Sequence, residues 1–237
     1  MPTSKAKIDI IGNILLALFI SILLLAFVSN TPIHKLPQKT PTSAQAVTTG
    51  MVSLNIVSAC SLEFREGWNF ISFCANETNT NITSVLSSIN QSIRFVLEWN
   101  SSTQSFIIYT PRAASPAFSK FNLSKSYFIY YTNSTGTNVS LSGPNFGDIN
   151  ISLQQGWETP NYPYSFTSNI SQYLETIDGK YRFVQKWNYT PQEFAIYSAL
   201  SQENPFYQIK QAEGQFILIT DAAGANLFYN KTRLENG

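Results

Sequence analysis

Histidine is nearly absent: the chain has one, His34, in a stretch without apolar patterning. A lone imidazole there excludes His-based triads and His acid-base catalysis. Charge is scarce too, at 12% of residues, with 15 basic and 14 acidic side chains. No basic field exists to hold nucleic acid, and no acidic tract marks a disordered tail. Only two cysteines occur, Cys60 and Cys74, with neither a CxxC pair nor a histidine cluster beside them, so no metal or cofactor motif is present. Outside the cytoplasm these two would form a disulfide; two unpaired buried thiols are the alternative. Aromatic residues, in contrast, reach 14%, and Ser, Thr and Asn fill the polar positions. That is the composition of strands and turns, and it predicts a mainly β protein built of small α+β modules.

Ile10 to Val28 is apolar apart from Gly12, Asn13 and Ser21, and a helix of about nineteen residues crosses most of a ~30 Å hydrocarbon layer. Lys5 and Lys7 precede it, while Lys35 and Lys39 follow, so the charge bias that keeps the amino end inside is small. A cleaved signal peptide competes with a retained anchor, because Ile14 to Val28 is near the upper length of such a core. No small-x-small site follows directly, however: Phe27, Val28 and Ser29 are poor, and Ala44-Gln45-Ala46 lies far downstream. A third reading is a type IV pilin-like leader cut near Lys5-Ala6, although Lys7 stands where an apolar or acidic residue is usual. Residues 30–51 have the Pro, Thr, Ser, Gln and Ala content of a solvated stalk. The expected organisation is a cytoplasmic stub at 1–9, a transmembrane helix at 10–29, the stalk at 30–51, and β-rich modules at 52–143 and 144–237.

The two modules rest on an internal match at an offset of 88 residues. Ile93-Arg94-Phe95-Val96-Leu97-Glu98-Trp99-Asn100 lies over Tyr181-Arg182-Phe183-Val184-Gln185-Lys186-Trp187-Asn188, and the same shift carries Phe106 to Phe194, Tyr109 to Tyr197 and Phe128 to Phe216. One further residue aligns Gly67-Trp68 with Gly156-Trp157. Duplication of one module explains this best. Within a module, Leu62 to Phe73 reads as a strand and Thr83 to Ile89 as a short helix. Arg94 to Trp99 and Ser105 to Thr110 read as a hairpin, and Tyr127 to Thr132 with Asn138 to Leu141 as a second, the other module ending likewise at Asp221 to Tyr229.

The matched tryptophans Trp68, Trp99, Trp157 and Trp187 lie in apolar alternation, which points to rings filling the core of each module; a sugar-stacking platform is the alternative. Arg94 and Arg182 suit either a solvated face with local pairing or bidentate binding of an anion. Glu63 and Glu66 are a carboxylate pair of the kind that cleaves glycosides, yet the second copy has Gln154 and Gln155 there, so no catalytic residues are assigned. Asn-x-Ser/Thr triplets occur at Asn76, Asn81, Asn90, Asn100, Asn122, Asn133, Asn138, Asn150, Asn169, Asn188 and Asn230. An Asn-, Ser- and Thr-rich chain generates some by composition, but eleven, all after the membrane segment, mark a compartment where N-glycans are attached. Asn81 with Asn169, and Asn100 with Asn188, coincide under the shift, and both places are expected to be exposed.

The pattern Cys-x-Leu-x(4)-Gly-Trp-Asn-x-Ile-Ser-x-Cys from Cys60 to Cys74, followed by the Phe-Val-x-x-Trp-Asn segment and the Tyr-Phe-Ile strand, resembles the Gly-Trp-Asn repeats of prokaryotic, especially archaeal, surface proteins. The resemblance spans roughly Ser58 to Tyr229. It implies a secreted or envelope-displayed β module and carries no catalytic residues. The second copy departs from it: Glu158-Thr159-Pro160 replaces Asn-x-Ile and both cysteines are missing, which puts an identical first strand there in doubt. The expectation is thus a membrane-anchored, extracellular, N-glycosylated protein with a structural or adhesive role, a pilin-like filament subunit or a carbohydrate-binding module being the alternatives. Its expected partners are the membrane, further copies, or surface glycans and proteins.

Overall fold

Period-two burial sets the first strand: Cys60, Leu62 and Phe64 are buried while Glu63 is exposed. The computed structural model describes residues 60–236; the expected stub, transmembrane helix and stalk, and with them His34, lie outside the described residues. Among the described residues no helix is long and apolar enough to cross a membrane. The first half runs β1 (Cys60–Phe64), β2 (Gly67–Ile71), a helical turn (Ile82–Val85), β3 (Ile93–Asn100), β4 (Ser105–Tyr109), β5 (Tyr127–Tyr131) and β6 (Thr137–Leu141). The second runs β7 (Ile149–Leu153), β8 (Gly156–Glu158), β9 (Ser168–Asn169), a helical turn (Ile170–Tyr173), β10 (Tyr181–Asn188), β11 (Glu193–Ser198), β12 (Gln208–Ile209), β13 (Gln215–Ile219), β14 (Ala225–Tyr229) and a helix (Lys231–Asn236). The fold is mainly β, with antiparallel sheets in the order β2-β5-β3-β4 and β8-β13-β10-β11, and two-stranded sheets β1-β6 and β7-β14.

Each half buries its own core between its four-stranded and two-stranded sheets. The first contains Leu62, Ile71, Val96, Tyr127, Ile129 and Val139; the second contains Leu153, Tyr173, Val184, Ile217 and Leu227. The helical turns start in the same way, with Asn81 Oδ1 accepting from Thr83 N and Asn169 Oδ1 from Ser171 N, both at 3.0 Å. The β3–β4 hairpin forms as expected. The second hairpin does not: β5 pairs with β2 and β3, and β6 pairs with β1. The reason lies in the faces of β5. Tyr127, Phe128, Ile129 and Tyr131 are all buried, so this strand needs cover on both faces and a central position, whereas β6 alternates and needs cover on one.

The run from Leu62 to Phe73 is likewise two strands in different sheets, divided at Gly67 with φ +97°. Buried Asn69 holds that corner, accepting from Arg65 N at 2.9 Å and donating Nδ2 to Arg65 O at 2.8 Å and Gly67 O at 3.0 Å. In the second half Glu158 Oε1 accepts from Gln154 N at 2.7 Å, and β7 is a full five-residue strand despite the missing cysteines.

Cys60 and Cys74 form a disulfide, 14 residues apart and buried in the first core. Replacing both with alanine is expected to lower stability by about 3 kcal/mol through the freed loop. In a thermal melt that reads as a fall of roughly 6–12 °C; an unchanged melting temperature would show the bridge to be dispensable.

Candidate functional site

The halves meet across an aromatic seam, which is where the tryptophans lie. None of the four belongs to either core. Trp187 Nε1 donates to Trp68 O at 2.8 Å, and Trp99 Nε1 donates to Trp157 O at 2.7 Å. Two glutamines close the same contacts. Gln192 Oε1 accepts from Trp68 N at 2.8 Å and its Nε2 donates to Trp68 O at 3.2 Å; Gln104 treats Trp157 N and O alike, at 2.8 and 3.1 Å. Each half therefore gives a Gly-Trp corner and receives a hairpin tip, and one pseudo-two-fold axis relates the two clasps. Gly67 and Gly156 are required there: a Cβ would lie 2.6 Å from Gln192 Oε1 in one clasp and 2.8 Å from the Gln104 amide in the other.

Between the clasps the two four-stranded sheets face each other through phenylalanine. Phe216 is fully buried, with ring centroids 5.1 Å from Phe70, 5.4 Å from Trp99 and 6.1 Å from Trp157. Phe128 stacks on Phe70 at 4.1 Å and meets Trp187 and Phe194 edge-on at 5.5 and 5.9 Å. Backbone bonds close the sheet edges across the seam: Ser72 N donates to Ala212 O and Gly214 N to Phe70 O, while Ser126 N donates to Thr159 O and Asn161 N to Ser124 O.

Two small polar clefts flank the seam. One of about 440 Å³ is lined by Glu63, Arg65, Tyr189, Lys210 and Glu213; the other, of about 220 Å³, by Asn100, Ser101, Lys125, Gln154 and Glu158. Their charges are largely spent within the chain, on Glu63–Arg65 at 2.8 Å, Lys125–Glu98 at 2.6 Å and Lys186–Glu213 at 3.3 Å. Glu66, the other acid once paired with Glu63, is exposed. No group of three or more metal-ligating side chains occurs among the described residues.

None of the eleven sequon asparagines is buried. Asn76, Asn122, Asn133, Asn138, Asn150, Asn169 and Asn188 are exposed, and Asn81, Asn90, Asn100 and Asn230 half-exposed. Asn81, Asn122, Asn133 and Asn169 each accept, through Oδ1, both the backbone N–H and the hydroxyl of the Ser or Thr two residues on. Only Asn230 spends its Nδ2 on a protein partner among the described residues, Asp148. Arg94 and Arg182 are exposed, each with its guanidinium over the next ring, Phe95 or Phe183, at 5.3 and 5.2 Å.

Composition gave no sign that tyrosine would fill the second core where the first has its disulfide. Tyr229 OH donates to Tyr173 OH at 2.6 Å, Gln215 Nε2 donates to the same Tyr173 oxygen, and Tyr162 shares a hydrogen with Ser168 at 2.6 Å. Burial pushes the Tyr162 phenol up to about 12 against the opposing Ser168 bond, and raises Tyr173, Tyr229 and Tyr164 further. Phenols raised in the fold stay protonated there, so their stabilisation is full below about pH 10, the unfolded value, and is lost as pH climbs from there through about 12. Melting temperatures should fall over that window together with the rise of phenolate absorbance; ionisation of every tyrosine near pH 10 in the folded protein would contradict the burial argument.

No protein-family model, curated protein or solved structure matches the chain.

Proposed function

We propose that the protein is an extracytoplasmic, N-glycosylated surface protein, tethered by its N-terminal segment and displaying a rigid pair of Gly-Trp-Asn-type modules in a structural or adhesive role. The observation that carries this reading is the accessibility of every acceptor asparagine: none of the eleven is buried, and ten keep Nδ2 free of protein partners among the described residues. Exposure is ordinary for asparagine, but the asparagines that are buried among the described residues, Asn69 and Asn161, both stand outside the triplets. Burial of both cysteines in a disulfide supports an oxidising compartment. The clefts are small, and their carboxylates are engaged by neighbouring groups, Glu63 by Arg65, Glu213 by Lys186 and Glu158 by Ser101, which argues against a poised acid and base of the kind a hydrolase needs.

Intact-mass analysis of the membrane-extracted protein, before and after glycan removal, tests the reading. Several glycans on a chain that begins at Met1 are the expected result, with occupancy lowest at Asn230. A start near Lys7 would replace the surface anchor with a filament subunit, and a bare polypeptide would remove the exterior location altogether.

A further inference from the structure

The two clefts beside the seam correspond under the repeat, yet they differ in what surrounds them. Asn100, Ser101, Ser102, Ser124, Ile151 and Ser152, six of the twelve residues lining the smaller cleft, belong to three acceptor triplets, those of Asn100, Asn122 and Asn150. The larger cleft takes one lining residue, Tyr189, from a single triplet, that of Asn188. At the positions matching Asn122 and Asn150 the chain has Lys210 and Ser61, and the triplets are gone.

The linings differ in the same sense. Where the larger cleft carries Glu63, Arg65 and Tyr189, the smaller one carries Ser152, Gln154 and Ser101. Its two charged side chains are already engaged: Lys125 donates to Glu98, and Glu158 accepts from Ser101 Oγ and from Gln154 N. The Ser102 hydroxyl and the Gln154 side-chain amide have no hydrogen-bond partner among the described residues. What remains is a space of about 220 Å³ lined by neutral hydroxyls and amides, groups that both donate to and accept from sugar hydroxyls. Asn100 is half-buried and lines it, with Oδ1 accepting from Ser102 N at 3.0 Å, whereas Asn188 is exposed and does not line the larger cleft.

We propose that the smaller cleft holds a sugar of the chain's own: the glycan carried by Asn100 folds back into it and ties the two halves together. The lining comes from the β3–β4 tip and Ser124–Lys125 of one half and from Ile151–Gln154 and Glu158–Pro160 of the other. A glycan seated there spans the seam beside the clasp of Trp99, Gln104 and Trp157. The tether selects this occupant. A glycan joined to Asn100 is held at high effective concentration, while a free ligand must enter past the glycans of Asn122 and Asn150. The inference rests on the glycosylation proposed above and adds where one glycan lies and what it does.

Glycopeptide masses of the full-length protein from its own cells establish which asparagines are occupied, and amide hydrogen exchange then reads the seam. Ser102→Ala removes the Asn100 triplet while keeping the asparagine, and Thr190→Ala does the same at Asn188. Exchange in Leu153–Thr159, the corner across the cleft, is expected to quicken about tenfold in Ser102→Ala, the worth of one or two hydrogen bonds to sugar. Ser102→Thr, which keeps the triplet, should match the unaltered protein, and Thr190→Ala should leave Phe64–Phe70, the matching corner, unchanged. Ser102→Ala made in a host without N-glycosylation should change nothing; quickened exchange there assigns the effect to the hydroxyl and overturns the proposal. So does an occupied Asn100 whose loss leaves Leu153–Thr159 unaltered, or a bare Asn100 among occupied neighbours, and in either case the surface reading stands. A protein without sugar at any asparagine overturns both, and the glycopeptide masses show that before exchange is measured.

Discussion

Phe216→Ala is expected to lower the stability of the folded region by about 3–5 kcal/mol, the range for emptying a large buried aromatic site. The upper part of that range applies because Phe216 is fully buried and its ring meets Phe70, Trp99, Phe106, Phe128, Trp157 and Phe194. Those neighbours come from both sheets, and backbone bonds at both edges of the seam restrain the sheets from closing over the void. Denaturant unfolding measures the loss, with Phe228→Ala as the control: that ring is 39% exposed and its removal should change stability by about 0.5 kcal/mol or less. A loss at Phe216 no larger than the control's would mean the seam contributes nothing and the halves fold independently. The shape of the transition adds a second reading. A single cooperative step in the variant indicates halves that still unfold together, and two steps indicate that the seam alone joined them.

Gly67→Ala tests the clasp by a different route. The new methyl group would stand 2.6 Å from Gln192 Oε1, and φ at +97° is unfavourable for any residue with a Cβ. Because the obstacle is the far end of a flexible side chain, the two penalties separate. Gly67→Ala alone is expected to cost about 3 kcal/mol, combining the displaced glutamine's two bonds to Trp68 with the backbone strain. In Gln192→Ala the bonds are lost without strain, at about 1–2 kcal/mol. The double variant should cost less than the sum, since the clash no longer exists, and should retain the roughly 1–2 kcal/mol of φ strain. Strict additivity in this double-mutant cycle would show that the glycine is needed only for its backbone angle.

The sequence made the strands legible and their pairing much less so. The residue pattern identified the residues of β6 and the β3–β4 hairpin, whose strands are adjacent in the chain and joined by a short polar turn. It misjudged β5, because a strand buried on both faces has neighbours set by the whole sheet and not by the next turn. Leu62 to Phe73 looked continuous because its break depends on the Asn69 side chain folding back on Arg65 and Gly67. The tryptophans lie at the seam and in neither core, Trp99 buried and Trp68, Trp157 and Trp187 half-buried: hydropathy does not report which half of the molecule covers a ring. One signal was present and passed over. Gln104 and Gln192 stand five residues after Trp99 and Trp187, related by the same 88-residue offset, and both adopt positive φ, at 49° and 55°. The same polar residue at matching points of two turns is the legible part; its partner, the Gly-Trp corner of the other half, and its positive φ are visible only in the structure. Nothing in the sequence reveals the register shifts in β10 and β3 at which Arg182 and Arg94 come to lie over the next ring.

The clasps also limit how such modules can be strung together. Each half presents one corner and one hairpin tip, and each is engaged by its counterpart, which is the isologous arrangement of a two-fold dimer built within a single chain. An isologous contact closes on itself. Two modules saturate it, leaving no free corner to receive a third, so this surface cannot propagate into a fibre as a head-to-tail contact would. Lengthening the chain by one module would leave one tryptophan corner unmatched; lengthening it by two would restore closure. Chains built on this seam should therefore favour even numbers of modules, and any filament they form must grow through other surfaces.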